Sequence, residues 1–483
     1  MYNIDGGSEF MNIIGRNKEK QKLDKLIVSN KPEFLVVFGR RRVGKTYLIK
    51  NYFKEEFSFY STGVKNLNTK DEIRLFFNSL QKYGSQAKKC PKDWFSAFAL
   101  LEELLESKQV KKVTHKRKRV IFLDEIPWMD SPKSNFKAAL DFFWNSYAST
   151  KEDILLIICG SATSWILDNI TSDTGGFYNR ITERMQLFPF TLKECEEFLN
   201  NNNINWSKEI IMQCYMVFGG VPFYLNLLDA NLSLHQNIND LVFTEGGSLY
   251  YEYDELMASL FKNHQLHNKI INVLGQHHNG LLRGELIKSE NLPNGEPLTK
   301  ALKELEECGF IRKYTNYLKA KNDSLIQLVD PFTLFCIEYK KKNDINNWLT
   351  LFNTPKYHNW CGYAFEILVL NHLPQIKEFL GISGIETKQF AFISKNLDQK
   401  AQIDLIIDRR DGIINLCEMK FTNTDFVIDK DYYQKIINKI NVFQKESKTK
   451  SAILTTFITS ERLKQNKYSS ICNINIEGTE LFR

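Results

Sequence analysis

The sequence predicts a multidomain α/β protein in which a parallel sheet with a helical lid precedes a winged-helix segment and a second α/β unit. Three observations predict it. Apolar strands alternate with long helices over 32–166, the pattern of a sheet covered on both faces. A glycine-rich turn, GRRRVGKT (39–46), joins the first strand to a helix. After a polar linker candidate, KKKNDINN (340–347), a new strand hairpin appears in QIDLIIDRRDGIINLCEMKF (402–421).

The bulk numbers agree. A length of 483 residues suits roughly two to four domains. Hydrophobic residues at 43% and aromatics at 13% can build cores and exclude a disordered chain. Lys and Arg number 64 against 57 Asp and Glu, a net charge of +7 that is compatible with nucleic acid without demanding it. The nine cysteines are scattered singly, mostly in apolar contexts, which reads as reduced thiols in a cytoplasmic protein. The histidines lack cysteine or acidic partners at zinc spacing. No apolar run approaches the ~18 residues of a membrane helix, so no membrane partner is expected. Residues 1–10, MYNIDGGSEF, have neither the basic start nor the apolar centre of a signal peptide. Met11 begins a more natural sequence, so 1–10 read as a vector remnant.

In chain order, PEFLVVFGRRRVGKTYLIKNYF (32–53) reads as strand, turn and helix. Helices are expected in WFSAFALLEELLES (94–107) and FKAALDFFWNSYA (136–148), around a second buried strand in KRVIFLDEIPWM (118–129). A third strand lies in DILLIICGSATSWI (153–166), and the sheet unit is bounded at 11–190. Residues 191–258 are helical and punctuated by Gly219, Gly220 and Pro222. In 259–340, three short helices precede an alternating ribbon, a winged helix-turn-helix pattern. Its third helix has a mixed polar face, with Lys300, Lys303, Glu304 and Glu307, which suits a subunit or interdomain contact better than base reading. The last unit, 348–483, runs helix, hairpin, helix, strand. The basic run KKVTHKRKR (111–119) is expected to be a solvated loop.

The first site is the phosphate-loop pattern GxxxxGK[ST]. Its residues are Gly39, Arg42, Val43, Gly44, Lys45 and Thr46, with Tyr47 just inside the helix. Glycines let backbone N–H groups curl around phosphates at a helix N-terminus. Lys45 would reach the β and γ phosphates and Thr46 would ligate Mg²⁺. The second strand ends in Asp124 and Glu125. Asp124 would hold the Mg²⁺ shell and Glu125 would polarise the attacking water. Ser161 is either a γ-phosphate sensor or a turn serine. Arg180 is either an arginine finger, which would require a homo-oligomer, or a structural surface arginine.

IIGRNKEKQKL, GRRRVGKT, LDEIPWM, CGSATSW, NRI, LFPF and GGVPFYL follow one another in an order that resembles the archaeal-type ATPases, relatives of the AAA+ and STAND nucleotide switches. The resemblance spans residues 11 to about 340. It implies ATP as cofactor, bound between the P-loop unit and a helical lid formed by 191–258. Ile14 and Arg16 would then lie near the adenine, and Pro222 in the lid.

The second site is the hairpin. With its turn at Arg409–Asp411, Asp404 is expected opposite 416–417, one diagonal step from Glu418. Side-chain alternation puts Glu418 and Lys420 on one face and Cys417 and Met419 on the other. Either these charges pair on a solvated face, or they form a site. Two carboxylates can hold Mg²⁺ against a phosphate while the lysine orients or deprotonates a water. The pattern Gln402-Ile-Asp404 with Glu418-Met-Lys420 resembles the PD-(D/E)xK nucleases, and Glu366 occupies the place of that superfamily's helical acid. The resemblance implies a restriction-endonuclease-like α/β domain with DNA as partner. The expectation is therefore an ATP-controlled, Mg²⁺-dependent DNA endonuclease, of the kind used in phage or mobile-element defence. The alternative is a non-cutting ATP-dependent switch that binds DNA or a regulatory protein, its nuclease fold vestigial.

Overall fold

The computed structural model describes residues 13–107, 110, 118–160, 163–166, 177, 179–261, 264–318, 324–341, 347–352, 354–394 and 401–483. The presumed vector residues 1–10, most of the basic run (111–117), Ser161 and linker residues 342–346 lie outside this set. The chain divides into two compact units, Met1–Phe188 and Pro189–Arg483.

In the first unit, five parallel strands form one sheet among the described residues: β1 (Glu33–Phe38), β2 (Phe59–Thr62), β3 (Arg119–Asp124), β4 (Ile154–Gly160) and β5 (Glu183–Gln186). Their order is β2-β3-β4-β1-β5. β1, β3 and β4 are buried along their whole length, because each face feeds a separate core. Phe34, Val36, Ile121, Leu123, Leu156 and Ile158 pack with the helices Thr69–Lys82, Trp94–Glu106 and Phe136–Ser146. Leu35, Val37, Val120, Phe122, Leu155 and Ile157 pack with Asn17–Val28 and Lys45–Tyr52. The 118–129 segment departs from the expectation for its leading residues. Lys118 and Arg119 are buried, not solvated. Lys118 Nζ donates to the carbonyls of Lys31 (2.6 Å) and Glu152 (2.7 Å). The Arg119 guanidinium donates to both oxygens of Asp153 (2.9 and 2.7 Å).

The second unit opens with helices Leu192–Asn201, Lys208–Phe218 and Pro222–Leu225. The first begins with a capping box in which Thr191 and Glu194 satisfy each other's backbone N–H groups. Gly220 sits at φ 66°, and a Cβ there would stand 2.3 Å from the Phe190 carbonyl oxygen, so the turn tolerates only glycine. Helices Glu252–Leu260, His264–Leu274, Arg283–Ser289 and Glu296–Glu307 accompany β6 (Leu281–Leu282), β7 (Ile311–Asn316) and β8 (Ser324–Leu328). After helix Pro355–Asn371 come β9 (Thr387–Ile393), β10 (Gln402–Arg409) and β11 (Ile413–Lys420). β12 (Phe426–Val427), helix Lys430–Ser447, β13 (Ala452–Thr459), β14 (Leu463–Lys464) and β15 (Ile474–Glu477) complete the unit.

The sequence separates 259–340 from 348–483, but their strands share a sheet. Among the described residues eight strands run in the order β15-β13-β11-β10-β9-β7-β8-β6. The junction is the parallel pairing of β7 with β9, Thr315 with Phe390 and Asn316 with Ala391. β11 is an interior strand between β10 and β13. Its Cys417 and Met419 enter the core formed with helix Pro355–Asn371, while Ile414 and Leu416 face Val442 and Phe443 of helix Lys430–Ser447.

Candidate nucleotide and metal sites

In the first unit the phosphate-loop pattern sits at the carboxyl end of β1, where the chain order along the sheet reverses. This is the usual ligand position in open α/β sheets. Gly39 (φ 141°), Arg42 (φ 71°) and Gly44 (φ 88°) bend the loop, and a Cβ on Gly39 would stand 2.3 Å from the Leu187 carbonyl oxygen. Gly44 caps helix Lys45–Tyr52 without a side-chain bond, so its first N–H groups point outward. Val43 is buried beneath the loop, and Tyr47 is half-exposed one residue beyond Thr46.

Lys45 is buried and its Nζ donates to the carbonyls of Gly39 and Arg40, each at 2.9 Å. The ammonium thus lies folded over the loop's own oxygens. Thr46 Oγ1 donates to Asp124 Oδ2 at 2.8 Å across the β1–β3 gap. Burial raises the Asp124 carboxyl above its ordinary value; the Thr46 hydrogen bond opposes this and Glu125 adds to it. Glu125 follows at φ 48°, its N–H donating to Asp124 Oδ1 at 3.0 Å. Arg16, itself left-handed at φ 55°, donates from Nη2 to the Val43 carbonyl at 3.0 Å, so the expected adenine-side arginine braces the loop. Ile14 is half-buried nearby in sequence. Arg180 forms an ion pair with Asp141 of helix Phe136–Ser146, an intrachain partner a finger residue would have to leave. Pro222 belongs to the second unit, where it opens helix Pro222–Leu225.

In the second unit the hairpin register is shifted from the expected one. Leu405 pairs with Cys417 and Asp408 with Ile414, so continuing the ladder sets Asp404 level with Glu418. The position of the turn causes the shift, and a separate irregularity affects the other edge of β10. The turn falls at 410–412 because Gly412 takes φ 82°. A bulge also interrupts β10 against β9: Ile403 pairs with Phe392 and Ile406 with Phe390, so Asp404 and Leu405 together oppose Ala391. Bulges re-aim a side chain beside functional sites, and Asp404 sits in this one.

Asp404, Glu418, Lys420 and Glu366 come into mutual electrostatic reach. The Glu366 carboxyl is pushed up to about 8, by burial first, then Asp404, with Glu418 adding and Lys420 and Lys439 opposing. Glu418 goes the other way. Burial raises it, but Lys439, Lys420 and Tyr432 together hold it below its ordinary value. Its Oε1 accepts from Tyr432 Oη at 2.6 Å, its Oε2 accepts from Lys439 Nζ at 2.7 Å, and Lys420 Nζ stands 3.3 Å from Oε1. Gln402 Nε2 orients Asp404 through a 2.7 Å bond to Oδ1. Among the described residues no group of three or more His, Cys, Asp or Glu side chains stands at metal-ligand spacing.

Sequence reading missed Tyr432, Lys439 and Arg312. Tyr432, Ile436 and Lys439 lie at helical spacing on one face, a legible signal. Arg312 carries no such signal, because its neighbours come from strands far along the chain. Burial lowers its guanidinium, while Tyr314, Tyr363, Asp404 and Glu366 oppose that shift.

No helix among the described residues is long and apolar enough to cross a membrane. In comparisons with known proteins, an uncharacterised protein of Methanocaldococcus jannaschii is 24% identical over 378 residues, covering 76% of this chain and 78% of its own length. The Walker-type ATPase of Pyrococcus abyssi superposes with a TM-score of 0.47 at 18% identity, covering 67% of this chain and 96% of that one. The ORC2 protein of Aeropyrum pernix gives 0.42 at 15%, covering 68% and 95%. The family described as an ATPase domain predominantly from Archaea matches residues 13–228, and that stretch of the chain is an archaeal-type P-loop ATPase domain.

Proposed function

We propose that the protein is an ATP-dependent switch whose second unit hydrolyses DNA phosphodiesters with Mg²⁺. The observation that carries the nuclease half is the half-buried group of Glu366, Asp404, Glu418 and Lys420, with Asp404 held in a β-bulge. Burial and Asp404 together raise the Glu366 carboxyl, and a bound cation would relieve that repulsion. In the ATPase domain the donor set suits Mg²⁺: a cation between Thr46 and the raised Asp124 carboxyl would offset the burial of that acid. Lys45 would turn from the loop carbonyls to the β and γ phosphates, and Glu125 would orient the attacking water. In the second unit Asp404 and Glu418 would hold the metal, which supplies an activated water when bound. Lys420 would orient that water, and Glu366 would complete the carboxylate set once deprotonated. A nuclease under nucleotide control is the arrangement a phage or mobile-element defence ATPase would use, and an Arg180 finger would need a homo-oligomer.

One observation favours the second reading, a non-cutting switch that binds DNA or a regulatory protein. Both Glu418 oxygens are already engaged by Tyr432 and Lys439, as in a purely structural ion-pair network. A cleavage assay on duplex and single-stranded DNA, with and without ATP and Mg²⁺, decides between them. Cleavage lost in Asp404→Ala and Lys420→Ala supports the nuclease; equal cleavage by all three proteins removes it.

A further inference from the structure

We propose that Arg312 contacts a phosphate of the bound nucleic acid, so that the β7–β8 hairpin supplies part of the pocket built around Asp404 and Glu418. This rests on the nuclease reading for the identity of the neighbouring site, but the contact itself is separable from cleavage.

The geometry comes from the fused sheet. β7 is joined to β9, and β9 is the neighbour of the bulged β10. Two connections bring β7 toward the carboxylates. Tyr314 Oη donates to the Asn279 carbonyl (2.6 Å), Asn279 Nδ2 to Gln402 Oε1 (3.3 Å), and Gln402 Nε2 to Asp404 (2.7 Å). On the other side, Gln327 Nε2 donates to the His278 carbonyl (2.7 Å), and the His278 ring meets Tyr363 edge-on at 3.9 Å, one helical turn before Glu366. Arg312 lies between these connections. Its Nε donates to Gln327 Oε1 at 2.7 Å, and its guanidinium carbon stands 4.7 Å from the centre of the Tyr314 ring.

That fixes the guanidinium plane but, among the described residues, uses only one of its five N–H donors. Among the described residues Arg312 makes no ion pair, although Asp404 and Glu366 both act on its charge. An arginine placed to neutralise those acids would close on them in a bidentate pair, as Arg119 does on Asp153. Arg312 instead offers a pre-oriented fork beside carboxylates that a metal would occupy. Formal charge agrees. With all three acids ionised, Glu366, Asp404 and Glu418 are matched by Arg312, Lys420 and Lys439, so a divalent ion leaves the pocket positive and a phosphodiester anion would offset part of that charge. A planar fork over an aromatic ring is also a common way to hold phosphate oxygens.

The test uses the full chain and fluorescein-labelled short duplex and single-stranded DNA, titrated in EDTA and in Ca²⁺ over a range of salt. Arg312→Ala should weaken binding about tenfold and lower the slope of log affinity against log salt by about one. Arg312→Lys should keep the slope and recover part of the affinity, and it also serves if the alanine variant melts early. An Arg312→Ala protein with wild-type affinity and slope, or a wild type that binds neither DNA, overturns the proposal. If the wild type binds and Arg312→Ala shows the loss, but no metal supports cleavage, the phosphate contact stands and the nuclease reading fails.

Discussion

His372 sets a pH limit on the second unit. Its imidazole has no exposure and ends helix Pro355–Asn371. Nδ1–H donates to the Leu368 carbonyl at 2.8 Å, and Nε2 accepts the Leu192 N–H at 2.9 Å, the first residue of helix Leu192–Asn201. Neutral imidazole satisfies both bonds; the charged form has no lone pair left for Leu192. Burial pushes the group down to about 4, with the Leu368 bond and Glu194 opposing. Between that value and the ordinary 6.5 the unfolded chain takes up a proton that the folded chain refuses. The stability from this group is therefore fully present above pH ~6.5 and is lost as the pH falls toward ~4. Over that window the loss amounts to about 3 kcal/mol at ~1.4 kcal/mol per pH unit. Urea unfolding monitored by Trp348 and Trp360 fluorescence, from pH 7 to 4, measures it. His372→Gln keeps an acceptor and a donor but cannot titrate, so its profile should be flatter by about that amount. His235, also pushed down to about 4 by burial, is common to both proteins and cancels. Parallel pH profiles for wild type and variant would refute the reasoning.

Two further outcomes follow from the sites. Lys45→Met removes the only ammonium folded over the phosphate loop among the described residues, and should weaken nucleotide binding at least tenfold by calorimetry while leaving the melting temperature within a few degrees. Glu366, pushed up to about 8, must release its proton for a metal to bind fully. Mn²⁺ affinity of the second site should rise up to tenfold per pH unit from 6 to 8 and then level, and Glu366→Gln should lose that pH dependence.

Much of the first site was legible because its signals are local. Glycines, lysine and threonine stand within eight residues, and continuous apolar runs announce β1, β3 and β4. The short strands β2 and β5 have too few residues for a periodic signal. In the second unit, alternation put Glu418 and Lys420 on one face, but the hairpin register depended on the Gly412 turn, and the bulge that holds Asp404 against β9 leaves no trace in apolar spacing. The basic run misled because Lys118 and Arg119 find partners, Lys31 and Asp153, that lie far away in sequence. Arg312 was invisible for the same reason: its place is fixed by strand pairing between segments about seventy-five residues apart.

The β7–β9 pairing has a practical consequence for how this gene can be divided. A fragment beginning at 348 would leave β9 with bare N–H and C=O groups along one side, an invitation to stick to other copies. Residues 189–483 hold both strands in one compact unit, so a fragment with those bounds keeps that seam closed.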